Sequence, residues 1–276
     1  MDQTISARGA FDAGGCGMSQ FEETRIVVNG RAHRVWSKGR GEPLGYLPGI
    51  GGLPRWLPFL DALATRYRVI APSLPGFPGA AGHDCLDTHF DWLLATHDLL
   101  QAAGLAGANL IASSVSGALA ADVAGVWPEL VGKLTLIAPF GLFDPKAPPA
   151  DIWAQRPGHL PGLLCVDAAT FKAFVAQPDD VDPIEWKVEQ MRVQEASARF
   201  LFPTGNTGLA ARLHRITQPT LLLWGAADRV MPFAYADKFA TQISGTVTVS
   251  RIAGAGHLAE LDQPTEVAAA IQSFLG

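Results

Sequence analysis

Three side chains could together perform nucleophilic chemistry: Ser114, Asp228 and His257. A serine hydroxyl is a poor nucleophile at neutral pH and needs a base to take its proton, a task that suits an imidazole. A carboxylate can orient that imidazole and stabilise the cation that forms. Such a set would transfer an acyl group. The serine oxygen attacks a carbonyl carbon, a covalent intermediate forms, and water releases it.

Each residue sits where an element ends. Ser114 lies in Ile111-Ala112-Ser113-Ser114-Val115-Ser116-Gly117, where an apolar strand gives way to an Ala-rich helix. A serine on so sharp a turn needs small residues two places before and after it, and Ala112 and Ser116 are small. The helix N-terminus behind it favours developing negative charge. A serine at a helix start is more often simply an N-cap, and Ser113 and Ser116 compete for the role. Ser114 is preferred because it has small residues at both flanking positions, with Gly117 also in place. Asp228 follows the apolar run 221–225 in a tight turn, where aspartate is also common for turn formation alone. His257 lies in Ala253-Gly254-Ala255-Gly256-His257-Leu258, a small-residue loop that lets an imidazole reach across a sheet edge. The other histidines fit less well. His33 is in a hairpin, His83 in a loop, His89 and His97 on a surface-type helix, and His159 and His214 in or beside an irregular segment. Solvated or structural roles suit all six.

The elements that must position these groups alternate. Residues 24–28 and 31–36 predict two strands around Asn29-Gly30, a strong hairpin signal. An apolar run at 44–48 ends in Gly49-Ile50-Gly51-Gly52, and Trp56, Phe59, Leu60 and Leu63 follow at helical spacing. Strands at 67–72, 109–113 and 133–138 then alternate with helices at 88–103 and 115–126. The pattern breaks over 140–215, which is rich in Pro, Trp and Phe with helical pieces at 168–176 and 184–198. It resumes with strands at 220–225 and 247–252 and helices at 234–241 and 264–275. Repeated strand–helix units imply a mostly parallel sheet with helices on both faces. The single interruption implies a helical cap inserted at 140–215, dividing a core made of 21–139 and 216–276, with a flexible tail over 1–20. Met18 could be a natural start.

The Ser114 turn is similar to the nucleophile elbow of the α/β-hydrolases, in the degenerate form A-x-S-x-S instead of G-x-S-x-G. The resemblance runs from about Thr24 to the C-terminus and is most specific over 218–275, with PTLLLWG-x-x-D and G-x-G-H-L. It implies the chain order Ser, Asp, His seen here. It also implies an oxyanion hole of two backbone N–H groups, from Val115 after the nucleophile and from Ile50 in the loop 47–52. Many members carry His-Gly where this chain has Pro48-Gly49, a departure that bears on loop geometry.

The resemblance covers many reactions. Dehalogenases and epoxide hydrolases of this type use an aspartate nucleophile. Tyr46, Tyr67 and Tyr235 all lie outside the expected cap, and Val115 stands where cofactor-free haloperoxidases usually have Trp. Three readings stay open. One is hydrolysis of a carboxylic ester, thioester or lactone. Another is C–C hydrolysis of ring-cleavage products, whose enzymes often carry Trp where this chain has Leu258. The third is a non-catalytic ligand-binding protein. The ester is preferred. Trp153, Phe171, Phe174, Trp186, Met191, Phe200 and Phe202 are expected mostly to fill the cap's own core. Trp153 and Trp186, with Leu258, are expected to bind an apolar or aromatic small molecule. No feature calls for a metal or an organic cofactor.

Composition bounds the rest. In 276 residues, 48% hydrophobic and 17% charged, there is enough apolar surface for a folded core, and a net charge of -5 without like-charge blocks argues against nucleic acid or an anionic membrane as partner. Cys16, Cys85 and Cys165 form neither a disulfide framework nor a zinc site. A cytoplasmic monomer or homodimer is expected.

Overall fold

The computed structural model describes residues 21–156, 158–202 and 205–276; the expected tail over 1–20, including Cys16 and Met18, lies outside them. Eight strands form one sheet in the order β1-β2-β4-β3-β5-β6-β7-β8. They are β1 (Glu22–Val28), β2 (Arg31–Lys38), β3 (Pro43–Leu47), β4 (Arg68–Pro72), β5 (Ala108–Ser113), β6 (Val131–Ile137), β7 (Thr220–Gly225) and β8 (Val247–Ile252). The β1–β2 and β2–β4 pairs are antiparallel and all others parallel. Asn29 and Gly30 both take positive φ (50° and 77°), the geometry of a tight turn whose twist matches the strands it joins.

Parallel strands flanked by helices on both sides must be apolar on both faces. β7, Thr-Leu-Leu-Leu-Trp-Gly, is buried at every residue. The chain starts at β3, steps outward to β4 through α1 (Pro58–Ala64), and returns past β3 to β5 through α2 (His89–Ala102). Crossovers are right-handed, so this reversal puts α1 on one face and α2 on the other. From β5 onward the chain moves one way. Accordingly α3 (Ser114–Val126) packs beside α2, while the last helix, α9 (Pro264–Leu275), packs beside α1. The carboxyl ends of β3 and β5 flank the reversal, the place where open α/β sheets bind ligands.

Between β6 and β7 run α4 (Leu160–Leu164), α5 (Ala168–Phe174) and α6 (Pro183–Phe200). α6 starts cleanly because the Asp182 carboxylate accepts from the N–H groups of Ile184 and Glu185, with proline in the first turn. Its Trp186, Val193, Ala196 and Phe200 face inward. Met191 and Phe202, expected inside, are instead 63% and 78% exposed. The inner face of α6 is already filled, so Ile184, Val188 and Met191 form an outward stripe. His89, expected on a surface-type helix, is half-buried and pinned at both ring nitrogens. One ring nitrogen meets the Phe200 carbonyl at 3.0 Å and the other the buried Asp122 carboxylate at 2.7 Å. Arg212 also donates to Asp122, so one carboxylate ties α2 and α3 to the chain that returns to β7. After β7 come α7 (Ala234–Gln242) and, following β8, α8 (Ala259–Asp262). No helix among the described residues is long and apolar enough to cross a membrane.

Candidate active site

The backbone turns sharply at Ser114. Ser114 directly follows β5 and begins α3 with φ at +52°, a region that L-residues other than glycine rarely enter. Such strain persists only where the surroundings enforce it. Here Phe140 N–H donates to the Ser114 carbonyl at 3.1 Å, and the first turn of α3 is buried throughout.

Two further loops converge on this turn. After β7, Asp228 is fixed through one carboxylate oxygen, which accepts from the Val230 and Met231 N–H groups at 2.7 and 2.9 Å. Its other oxygen lies 3.0 Å from His257 Nδ1. A carboxylate only accepts, so Nδ1 carries the proton and Nε2 is left as an acceptor. His257 Nε2 is 2.7 Å from Ser114 Oγ, which donates to it. The loop that carries His257 comes so close to the end of β7 that a Cβ on Gly225 would collide with the Gly256 carbonyl. Asp262 steadies the loop from the far side, accepting from the Gly256 and Val166 N–H groups at 2.7 and 2.9 Å. Ser114 and His257 are fully buried, and the Asp228 side chain is nearly so.

The loop after β3 completes the ring. Gly49 lies so near Ser114 that an added Cβ would stand 3.0 Å from the serine Cβ and 3.0 Å from Leu258 Cδ2. The N–H groups of Ile50 and Val115 have no backbone acceptor among the described residues and stay available. Ser116 donates from its hydroxyl to the Pro48 carbonyl at 2.5 Å, joining the first turn of α3 to this loop. Ser116 and Pro48 are 68 positions apart, and their contact is visible only in three dimensions.

Of the residues expected to bind substrate, Leu258 sits beside Gly49, and Trp153 is 6.2 Å from Phe140, centroid to centroid. Phe140 stands edge-to-face with His257 at 5.7 Å; no local pattern marked it. Trp186 is elsewhere engaged. Its indole N–H donates to the Val175 carbonyl at 3.1 Å, bracing α6 against the end of α5. Ser113 and Ser116, the competing nucleophiles, do not meet His257. Ser113 Oγ has no hydrogen-bond partner among the described residues and Ser116 is bound to Pro48. No group of three or more potential metal ligands occurs among the described residues.

A doubly wound sheet carrying a hydrogen-bonded Ser–His–Asp relay at its carboxyl edge defines the α/β-hydrolase class. The profile of the alpha/beta hydrolase family matches residues 46–270, and the chain belongs to that family and so to the hydrolases. It is 26% identical to a 2-hydroxy-6-oxo-6-(2'-aminophenyl)hexa-2,4-dienoic acid hydrolase of Metapseudomonas resinovorans, over 93% of this chain and 92% of the relative. Among solved structures it resembles the 2-hydroxy-6-oxo-6-phenylhexa-2,4-dienoate hydrolase from Rhodococcus sp. strain RHA1 (TM-score 0.75, 18% identity, 93% of this chain and 99% of that one). It also resembles naproxen esterase from Bacillus subtilis (TM-score 0.72, 17% identity, 93% of this chain and 92% of that one). At these identities the structural likeness shows the fold alone.

Proposed function

We propose that this chain is a serine hydrolase that cleaves a carboxylic ester, thioester or lactone of an apolar or aromatic substrate through an acyl-enzyme on Ser114. The observation that carries this reading is the 2.7 Å contact between Ser114 Oγ and His257 Nε2, backed by Asp228 on Nδ1. In the first half-reaction Ser114 Oγ bonds to the carbonyl carbon as His257 takes its proton, and Asp228 stabilises the imidazolium. The N–H groups of Ile50 and Val115 receive the charge that develops on the carbonyl oxygen. Collapse breaks the bond to the leaving oxygen or sulfur, which takes the proton from His257. Water then repeats the sequence, giving its proton to His257 and releasing acid and free Ser114. Acyl transfer of this kind requires no metal or organic group. The insertion between β6 and β7 serves as the cap, Trp153 and Phe140 form an aromatic wall over His257, and Leu258 lines the side of the Gly49 loop.

A second reading, C–C hydrolysis, is favoured by the dienoic acid hydrolase relative. A dienoate carries a carboxylate that needs a cationic or strongly donating partner. The residues placed against Ser114 and His257 by the contacts above, Gly49, Phe140 and Leu258, are uncharged. That favours an uncharged acyl group.

Two measurements test the proposal. Short-chain p-nitrophenyl esters should be turned over by the wild type and not by Ser114→Ala, and a fluorophosphonate probe should label the wild type alone. Turnover that survives Ser114→Ala refutes the mechanism. Absence of both turnover and labelling points to a ligand-binding protein on this fold. Faster Ser114-dependent cleavage of a ring-cleavage dienoate than of any ester selects the second reading.

A further inference from the structure

Glu260 lies three residues beyond His257 and is 2% exposed. A carboxyl so deeply buried is ordinarily paired with a cation. Here no lysine or arginine pairs with it among the described residues, and two hydroxyls approach it instead. Tyr46 Oη on β3 donates to one carboxyl oxygen at 3.5 Å, the long limit of a hydrogen bond. The Ser113 hydroxyl sits against the carboxyl yet makes no aligned hydrogen bond, and Glu260 Oε2 has no partner among the described residues. The titratable groups that face Glu260 are Tyr46, His257 and Cys165 at the end of α4, with Asp262 on its own helix beside Cys165. Burial pushes both the Tyr46 phenol and the Cys165 thiol up, so neither supplies charge. Burial likewise raises the Glu260 carboxyl above its ordinary value, and the nearby Ser113 hydroxyl, the His257 ring and the other polar groups around it offset this only in part. Glu260, Tyr46, Gly49, Ile50 and Leu258 line one small pocket of about 10 Å³, the scale of a single water molecule. The pocket touches the loop that carries Ile50, and Ser113 immediately precedes Ser114.

We infer that Glu260 is a positioning residue: buried against the Ser113 and Tyr46 hydroxyls and beside Gly49 and Ile50, it braces from beneath the turn that carries Ser114 and the Gly49–Ile50 loop. Burial with no lysine or arginine beside it favours the neutral form of the carboxyl, and Oε2, which accepts from no group among the described residues, is the oxygen placed to carry the proton. Neutrality also keeps a second negative charge away from the oxyanion that forms beside Ile50. Asp228 alone then faces the imidazolium as a carboxylate. This inference rests on the proposed roles of Ser114 and His257.

The test compares Glu260→Gln, which keeps donors and neutrality, with Glu260→Met, which keeps bulk and loses every donor. On a p-nitrophenyl ester, Glu260→Gln should hold kcat within about threefold of wild type, while Glu260→Met loses about tenfold or more with KM little changed. The acid limb of kcat/KM reports His257. It should coincide in wild type and Glu260→Gln, because neither carries a charge there. A fall of the limb by about half a unit or more in Glu260→Gln would show that an anion had been removed, and would overturn the inference. Unchanged kcat in Glu260→Met would overturn it too. Melting supplies a reading free of turnover. A carboxyl raised in the fold adds stability that is full below its unfolded value near 4.5 and is lost as pH climbs through the folded value. The melting temperature of Glu260→Gln relative to wild type should therefore rise with pH above about 4.5. A flat difference refutes a proton held by Glu260 even if Glu260→Met fails to fold. If the wild type shows no Ser114-dependent turnover, the functional reading fails, while melting still reports the proton.

Discussion

Ser116 offers a direct test of how the loop proposed to supply an oxyanion donor is held. It stands where the common elbow has glycine, and its hydroxyl donates to the carbonyl of Pro48, which stands where many family members have histidine. Both residues are buried. Ser116→Ala removes the donor and leaves that carbonyl unpaired and dry, a loss of about 1–3 kcal/mol. Unfolding entropy scales with length, near 2 cal/mol/K per residue, so in 276 residues each kcal/mol corresponds to about 2 °C. The melting temperature should fall by about 2–5 °C. The catalytic effect should exceed what that fall suggests. Removing one oxyanion donor outright costs about 100- to 1,000-fold in kcat. A loop that is loosened, with Ile50 still present, should lose about 10- to 100-fold, with KM within about twofold. Thermal melts and steady-state ester hydrolysis measure the two quantities on one preparation. A lower melting temperature with unchanged kcat would show that the bond holds the fold and not the donor. No change in either would refute its importance altogether.

Two further outcomes follow from the same geometry. With the hydroxyl gone in both, Ser114→Gly should be more stable than Ser114→Ala by about 1 kcal/mol, because glycine alone takes φ of +52° without strain. Equal urea midpoints would mean that the turn is relaxed. Asp122→Ala should cost about 3–5 kcal/mol, since it leaves Arg212 and His89 without the fully buried carboxylate that holds both. A loss below about 1 kcal/mol by urea unfolding would show the network to be dispensable.

The elements, and the three residues whose side chains are hydrogen-bonded in series at the sheet edge, were legible along the chain. Apolar runs such as 109–113 and 221–225, with turn residues at their ends, declare strands buried on both faces, because backbone and side-chain preferences act over a few residues. Asp228 and His257 stand just beyond such runs, so their placement at one sheet edge follows from the alternation itself. Burial and pairing do not follow, because they depend on residues far apart in sequence. Ser114 and His257 are 143 positions apart, and Ser116 and Pro48 are 68. The strand order decides that the ends of β3, β5 and β7 meet. The outward turn of Met191 and Phe202 is equally non-local. Aromatic residues read alike in a list, and only packing against the filled inner face of α6 sends these two into solvent while Phe200 stays buried. Glu260 is the sharpest case. In sequence it is an acidic residue in the first turn of a short helix. In the fold it is a buried acid beside Tyr46 from the other end of the chain, because a side chain's charge state is set by the dielectric and the donors around it, and those belong to the tertiary structure alone.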